Sequence, residues 1–195
     1  MTKVKLANYL SDGLNPLVIG LIVLAVLSFK GAASAVQAFG WFLLVTGLLF
    51  MPILLIAMYF VRTGRMDALF SNRRHQRHRI YVIGLFFVVF TMLLLNWLHA
   101  PSVLVAMLVS GLVTAATFSA INLWWKISVH TSTVSALVVI LHIVYGWWAL
   151  PSILLVPMMG WSRVVLAQHT LGQVIAGILV SAIIVLVVFF QYGVI

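Results

Sequence analysis

Two short polar segments interrupt an otherwise apolar chain, and both carry side chains that could react with an anion. In the first, "KISVH", Lys126 and His130 are four residues apart, so on a helix they would share a face, with Ser128 between them. The second, "SRVVLAQH", carries Arg163 and ends in His169. Histidine can act as a nucleophile or a proton donor, and arginine binds phosphate oxygens in a bidentate manner. This pattern indicates chemistry on an anionic substrate.

Both segments also have structural interpretations that the sequence leaves open. Lys126 follows the tryptophan pair Trp124 and Trp125 and could extend its ammonium group to the membrane interface. Arg163 could do the same, while the histidines form hydrogen bonds with neighbouring helices. Arginine and histidine are costly near a membrane helix and usually have a function there, which favours the chemical interpretation for "SRVVLAQH".

A third polar cluster, "SNRRHQRHR" at positions 71–79, contains four arginines and two histidines. Its structural interpretation is a cytoplasmic loop that follows the positive-inside rule and contacts anionic lipid headgroups. Its chemical interpretation is a binding site for an anion. The cluster alone does not separate the two.

The composition excludes several kinds of enzyme. The 195-residue chain has no cysteine, which excludes thiolate nucleophiles, thiolate metal sites and disulfides, and Asp12 and Asp67 are its only carboxylates. Metal-dependent hydrolases and calcium sites need several clustered carboxylates. No histidine pair has HxH or HxxxH spacing, so no metal or other cofactor is expected. The net charge of +9 favours an anionic ligand, but the basic residues flank apolar segments, so nucleic acid is not an expected partner.

The elements that must position these residues are membrane helices. The chain is 65% hydrophobic, and its apolar runs reach the roughly 18 residues typical of a spanning helix. We therefore expect an all-α protein that forms a polytopic transmembrane bundle. Residues 1–195 would form one integral membrane domain, located in a prokaryotic cell membrane. The pattern predicts six to seven membrane segments, at 14–29, 39–61, 80–98, 102–123, 133–145, 149–160 and 170–190.

The segments at 133–145 and 149–160 are too short to span a bilayer separately in an upright orientation, because each covers only about 20 Å. They could form one kinked crossing or a helical hairpin. The hairpin is favoured, since it places every lysine and arginine except Lys30 on one face of the membrane. The positive-inside rule assigns that face, with the reactive residues and the N-terminus, to the cytoplasm. A cleaved signal peptide is an alternative for the first segment, but Lys30 favours an uncleaved helix.

The two reactive segments resemble signatures of the phosphatidic acid phosphatase type 2 superfamily, which includes membrane lipid phosphatases. The family's third signature is Ser-Arg-x5-His-x3-Asp, and "SRVVLAQH" matches it up to the histidine. The second signature is Pro-Ser-Gly-His, and "ISVH" matches it at Ser128 and His130. The order of the motifs and the basic cluster before them agree as well. The resemblance covers about residues 67–180.

The resemblance implies a role for each matching residue. His169 would be the nucleophile that forms a phosphohistidine, and His130 would be the acid that protonates the leaving alkoxide. Gln173 stands where the family has an aspartate that orients the nucleophile; its amide oxygen can still accept the imidazole N–H, but it stabilises the imidazolium less. Val129 replaces the family's glycine. Phosphate oxygens would be held by Arg163, Ser128 and Lys126, with Arg74, Arg77 and Arg79 as candidates from the basic cluster.

The resulting prediction is a metal-independent membrane lipid phosphatase. Its substrate would be a lipid phosphate or diphosphate, such as phosphatidate, phosphatidylglycerophosphate or a polyprenyl diphosphate, and membrane lipids would be its other partners. One alternative is a catalytically impaired lipid-binding or transport protein of the same fold. Another is a transferase that moves a phosphoryl or phospholipid headgroup to an acceptor other than water.

Overall fold

The computed structural model describes residues 2–67 and 74–195, with the side chains of 74–81 left out. The described chain is helical and contains no strand. A π turn, Thr46–Phe50, joins α3 to α4, and a 3-10 segment, Gly146–Leu154, joins α7 to α8. The helices are α1 (Lys3–Gly13), α2 (Pro16–Gly31), α3 (Ala35–Val45), α4 (Met51–Arg62), α5 (Arg74–Trp97), α6 (Ser102–Ile121), α7 (Val129–Tyr145), α8 (Leu155–Val165) and α9 (Leu171–Gln191).

Short polar side chains determine where several helices begin. The Asn15 side chain accepts hydrogen bonds from two backbone N–H groups of α2, and Pro16 occupies the first helical position, where its missing N–H costs nothing. Ser34 caps α3 in the same way. The sequence prediction placed the start of the α7 segment at Thr133, but the helix begins at Val129 because Ser128 caps it. The residues of "KISVH" therefore lead directly into a helix.

The described residues contain four helical stretches that are long and apolar enough to cross a membrane, or five if the bent pair α1–α2 forms one crossing. This confirms that the described chain is helical and has several helices that are candidates for crossing a membrane. The number is below the predicted six to seven for two reasons. The described apolar part of α5, Val82–Trp97, is short, and Val129–Val165 is one of the four although it contains both α7 and α8.

A 3-10 segment interrupts the α-helical conformation between α7 and α8. Gly146 ends α7 with a φ of 57°, a conformation that is strained for other residues, and Pro151 lies within the following 3-10 segment. The helices on either side pack against each other. By length and composition, Val129–Val165 is one candidate span, and the hairpin stays a prediction.

Helix α7 packs against α2, α8 and α9, and its most extensive contact is with α9. Small and hydroxylated residues line the α7–α9 contact. The Ser135 hydroxyl donates to the Ile178 carbonyl at 2.9 Å, and the Ser181 hydroxyl donates to the Ser132 carbonyl at 2.9 Å. Such residues allow close approach of membrane helices, and their hydroxyl groups bond across the contact. The contact fixes the start of α7 relative to the start of α9.

Candidate active site

The two segments singled out in the sequence meet in space. Lys126 Nζ donates to the backbone carbonyl of Gln168 at 3.1 Å, and the backbone N–H of Ser128 donates to the backbone carbonyl of Gln173 at 3.4 Å. Gly177 makes this approach possible, because a Cβ at this position would lie 2.6 Å from the Ser128 carbonyl oxygen. The structure thus joins "KISVH" and "SRVVLAQH" into one cluster, although about thirty residues separate them in the chain.

Two helices begin at this cluster. Ser128 caps α7 and Thr170 caps α9, and Thr170 forms a capping box with Gln173. His130 lies in the first turn of α7, and His169 immediately precedes the α9 cap. The N-terminus of a helix carries a partial positive charge and favours anions. With Lys126 and Arg163 nearby, the cluster is electropositive and suited to a phosphate group.

The half-buried imidazole of His169 is held by Gln173. Its Nδ1 lies 3.2 Å from Gln173 Oε1, which also accepts a hydrogen bond from Thr170 N–H at 3.1 Å. The backbone N–H can only donate, so the atom that Gln173 presents here is its oxygen. Nδ1 of His169 must then carry the proton, which leaves the lone pair on Nε2 available for attack. The contact is the one expected of an orienting residue.

Burial and neighbouring charge keep His169 neutral. Burial, the Lys126 ammonium and the Arg163 guanidinium lower its pKa from 6.5 to about 4, against a smaller upward effect of hydrogen bonds to Gln173 and to the Lys126 backbone. The neutral imidazole is the nucleophilic form and predominates at neutral pH. Because this pKa is lower in the folded chain than in the unfolded chain, the unfolded chain takes up a proton first as the pH falls. The free energy of unfolding is therefore unaffected by His169 above about pH 6.5, and it decreases as the pH falls from there through about 4.

Arg163 is a buried cation that links the site to the N-terminal helix. Its side chain is only 9% exposed, and its Nη1 donates to Ser11 Oγ at 2.7 Å. Its backbone carbonyl accepts hydrogen bonds from the N–H groups of Gln168 and His169 at 3.1 and 3.3 Å. One residue therefore fixes the loop that carries His169 and contributes positive charge beside it.

The remaining predicted phosphate ligands are Ser128 and three arginines of α5, and the structure describes only the side chain of Ser128. Ser128 is fully buried, and its side-chain Oγ accepts a hydrogen bond from Thr131 N–H at 3.5 Å. Because Oγ is the acceptor in that contact, the hydroxyl proton is not used by it. Arg74, Arg77 and Arg79 lie in the first turns of α5, but their side chains fall outside the described residues, and their predicted role stays a prediction. No group of three or more His, Cys, Asp or Glu side chains within the described ranges could hold a metal ion.

Sequence reasoning did not identify two contributions to this site. The first is the capping box, whose signal is the spacing Thr-x-x-Gln in "TLGQ", from Thr170 to Gln173. The second is α1, with Ala7 and Ser11 against α8. Its only signal is a pair of small residues one helical turn apart in a segment less apolar than the spans, and hydropathy alone does not detect it.

Comparisons of this chain with protein-family models, with characterised proteins and with solved structures found no match. The evidence that bears on function is therefore the pair of motifs and the geometry that brings them together. Membership of the superfamily that the motifs resemble stays a prediction.

Proposed function

We propose that this protein is a membrane lipid phosphatase that hydrolyses a lipid phosphate or diphosphate through a phosphohistidine at His169. The observation that carries the proposal is the contact between His169 Nδ1 and Gln173 Oε1 at 3.2 Å, which leaves Nε2 free to attack. Lys126, Arg163 and two helix N-termini surround this imidazole with positive charge. Phosphoryl transfer needs positive charge around the phosphate oxygens, a nucleophile and a proton donor.

The first step forms the covalent intermediate. The Nε2 lone pair of His169 attacks phosphorus, the bond between phosphorus and the lipid oxygen breaks, and His130 donates a proton to the departing oxygen. Lys126 and Arg163 stabilise the charge on the phosphate oxygens, and Ser128, Arg74, Arg77 and Arg79 are the further candidates for this role.

The second step releases phosphate. Water attacks the phosphohistidine, His130 accepts a proton from that water, and the bond between phosphorus and Nε2 breaks. His169 returns to its neutral form and His130 to its protonated form. Gln173 keeps Nδ1 protonated in both steps, but an amide stabilises the imidazolium less than a carboxylate would. We therefore expect slower turnover than a carboxylate at this position would give.

The position of the site supports a lipid substrate. The reactive residues are at the ends of apolar helices, next to the exposed side chains of Trp124 and Trp125, which are typical of the membrane interface. A phosphate at this depth would belong to a lipid headgroup, while its chains extend along the apolar helices.

We further propose seven membrane segments, formed by α2, α3–α4, α5, α6, α7, α8 and α9. This arrangement places the N-terminal helix and the site on the same face, as required by the hydrogen bonds of α1 to Ser162 and Arg163. It leaves Lys30 on the opposite face. The positive-inside rule then makes the site cytoplasmic.

Phosphate release tests the function directly. Purified protein is assayed against phosphatidate, phosphatidylglycerophosphate and a polyprenyl diphosphate; we expect release from at least one, and loss of release in His169→Ala. His99→Asn is the matched control, because His99 is an exposed histidine at a positive φ that asparagine tolerates, and it should retain activity. Folded wild-type protein that releases phosphate from none of the three would contradict the proposal.

The main alternative is a lipid-binding or transport protein, and the neutral Gln173 at the orienting position is the observation that favours it. Such a protein would bind lipid phosphate without cleaving it. A headgroup or phosphoryl transferase would use the same residues but would form a new lipid product when an acceptor alcohol is added. Product analysis with and without acceptor separates hydrolysis from transfer.

A further inference from the structure

The N-terminal helix α1 docks on α8 through two buried hydrogen bonds, and both reach the "SR" pair of the third motif. The Ser162 hydroxyl donates to the Ala7 carbonyl at 2.7 Å, and Arg163 Nη1 donates to Ser11 Oγ at 2.7 Å. Ala7 and Ser11 are one turn apart, so they lie on the same face of α1, and both are buried. A specific face of α1 is therefore held against the site.

Electrostatics add to this docking. Asp12, the residue after Ser11, interacts with the Arg163 guanidinium. Asp12 is one of only two carboxylates in the chain, and it lies on the helix that contacts the buried arginine. An anionic side chain near a buried cation reduces the cost of keeping that cation out of water.

The hydrogen bonding of Arg163 divides its guanidinium into two sides. Nη1 is bonded to Ser11, whereas Nε is buried and has no acceptor among the described protein atoms. Nε and Nη2 form the edge of the guanidinium that does not include Nη1, and such an edge binds two oxygens of a phosphate at once. A buried donor without an acceptor is unfavourable, so the Nε edge is the side suited to an anionic ligand.

We propose that Ser11 is a positioning residue, which anchors the Nη1 side of Arg163 so that its Nε edge binds the substrate phosphate. The inference rests on the proposed function, because it concerns the same phosphate site. It makes α1 a component of that site rather than only a helix at the membrane surface. Ser11 does not touch the phosphate; it acts through Arg163.

The test compares two serines that hold the same helix. Ser11→Ala removes the hydrogen bond to the Arg163 guanidinium. Ser162→Ala removes the other hydrogen bond between α1 and α8 and leaves the bond to the guanidinium in place. Binding of inorganic phosphate is measured by its protection of His169 from diethyl pyrocarbonate, and KM and kcat are measured with a lipid phosphate. Thermal unfolding in detergent verifies that each variant is folded.

We expect Ser11→Ala to weaken phosphate binding about tenfold and to raise KM more than it lowers kcat, since loss of one charge-assisted hydrogen bond costs an interaction of that size. Asp12→Asn should have a smaller effect in the same direction, because Asp12 is exposed. Ser11→Thr, which keeps the hydroxyl, should restore binding, and Ser162→Ala should stay within twofold of wild type.

Three results would overturn the inference: unchanged phosphate binding in Ser11→Ala, equal losses in Ser11→Ala and Ser162→Ala, or no phosphate binding by the wild type. The outcome is separable from that of the proposed function. If the wild type hydrolyses lipid phosphates and Ser11→Ala is unimpaired, only the positioning role fails. If the wild type hydrolyses none, but Ser11→Ala alone weakens phosphate binding, the positioning role holds and only the phosphatase proposal fails.

Discussion

At the residue scale, His169 is prepared for attack by three different influences. Gln173 Oε1 fixes the proton on Nδ1, and partial burial together with Lys126 and Arg163 lowers the pKa of the imidazole to about 4. The same two cations that disfavour the imidazolium would stabilise the phosphate oxygens. When a phosphate anion binds, its charge offsets theirs, so the histidine can acquire positive charge as the bond to phosphorus forms.

Substitution of Gln173 tests the orienting contact. In Gln173→Glu, a carboxylate of the same shape accepts from His169 Nδ1 and from Thr170 N–H, so we expect the pKa of His169 to rise above about 4 and turnover to increase. In Gln173→Leu the contact is lost, and turnover should fall roughly 10- to 100-fold. The pH dependence of His169 modification by diethyl pyrocarbonate reports the pKa, and phosphate release reports turnover. Unchanged turnover in folded Gln173→Leu would show that the contact has no part in catalysis.

At the element scale, the site depends on how closely α7 and α9 approach. Gly177 of α9 lies against the Ser128 carbonyl, and serine hydroxyls bond across the contact further along both helices. These contacts hold the cap of α7 next to the cap of α9 and therefore bring Lys126 beside the loop that carries His169. The reactive geometry is a consequence of helix packing as much as of the motif residues.

Gly177→Ala tests this packing. The added Cβ would lie 2.6 Å from the Ser128 carbonyl oxygen and 2.9 Å from Thr131 Oγ1, so the helices must separate. We expect a loss of about 1–3 kcal/mol in the free energy of unfolding, together with lower activity. Gly111→Ala is the control, because no atom lies within 4 Å of its added Cβ, and it should be neutral or slightly stabilising. Equal stability of the two variants would contradict the packing argument.

The sequence predicted the apolar elements better than their junctions. Hydropathy located the apolar parts of α6 and α9 well, because a lipid-facing helix must be apolar along most of its length. It missed α1 and placed the start of α7 at Thr133, since polar residues that cap a helix or dock at the interface look like loops in a hydropathy pattern. The resemblance paired His169 with Gln173, and the structure places the two side chains in hydrogen-bond contact. The contact between Arg163 and Ser11 joins residues 152 positions apart and follows only from the tertiary fold.

At the scale of the whole molecule, the proposed arrangement of seven segments places charge asymmetrically across the membrane. In this arrangement, the N-terminal helix and the site share one face, and Lys30 lies on the other. Attachment of α1 to α8 requires the N-terminus and Arg163 to be on the same side. The bundle would then present its phosphate-binding residues to one leaflet only.

Single cysteines test this arrangement, and the absence of native cysteine makes the labelling specific. The two substitutions are Lys5→Cys and Lys30→Cys. Both lysines are exposed, and neither belongs to the proposed site. In sealed vesicles, a membrane-impermeant maleimide should label one of them from outside and the other only after the membrane is permeabilised. Labelling of both from the same side would contradict the proposed topology.

The central claim is that His169 becomes covalently phosphorylated, and trapping that intermediate tests it most directly. Wild-type protein is mixed with a lipid phosphate carrying ³²P, quenched in alkaline detergent within one turnover, and digested for peptide mapping. We predict label that is stable to alkali, labile to acid and located on the peptide containing His169, with none in His169→Ala. Phosphate release without any labelled protein, or label on a residue other than His169, would contradict the account.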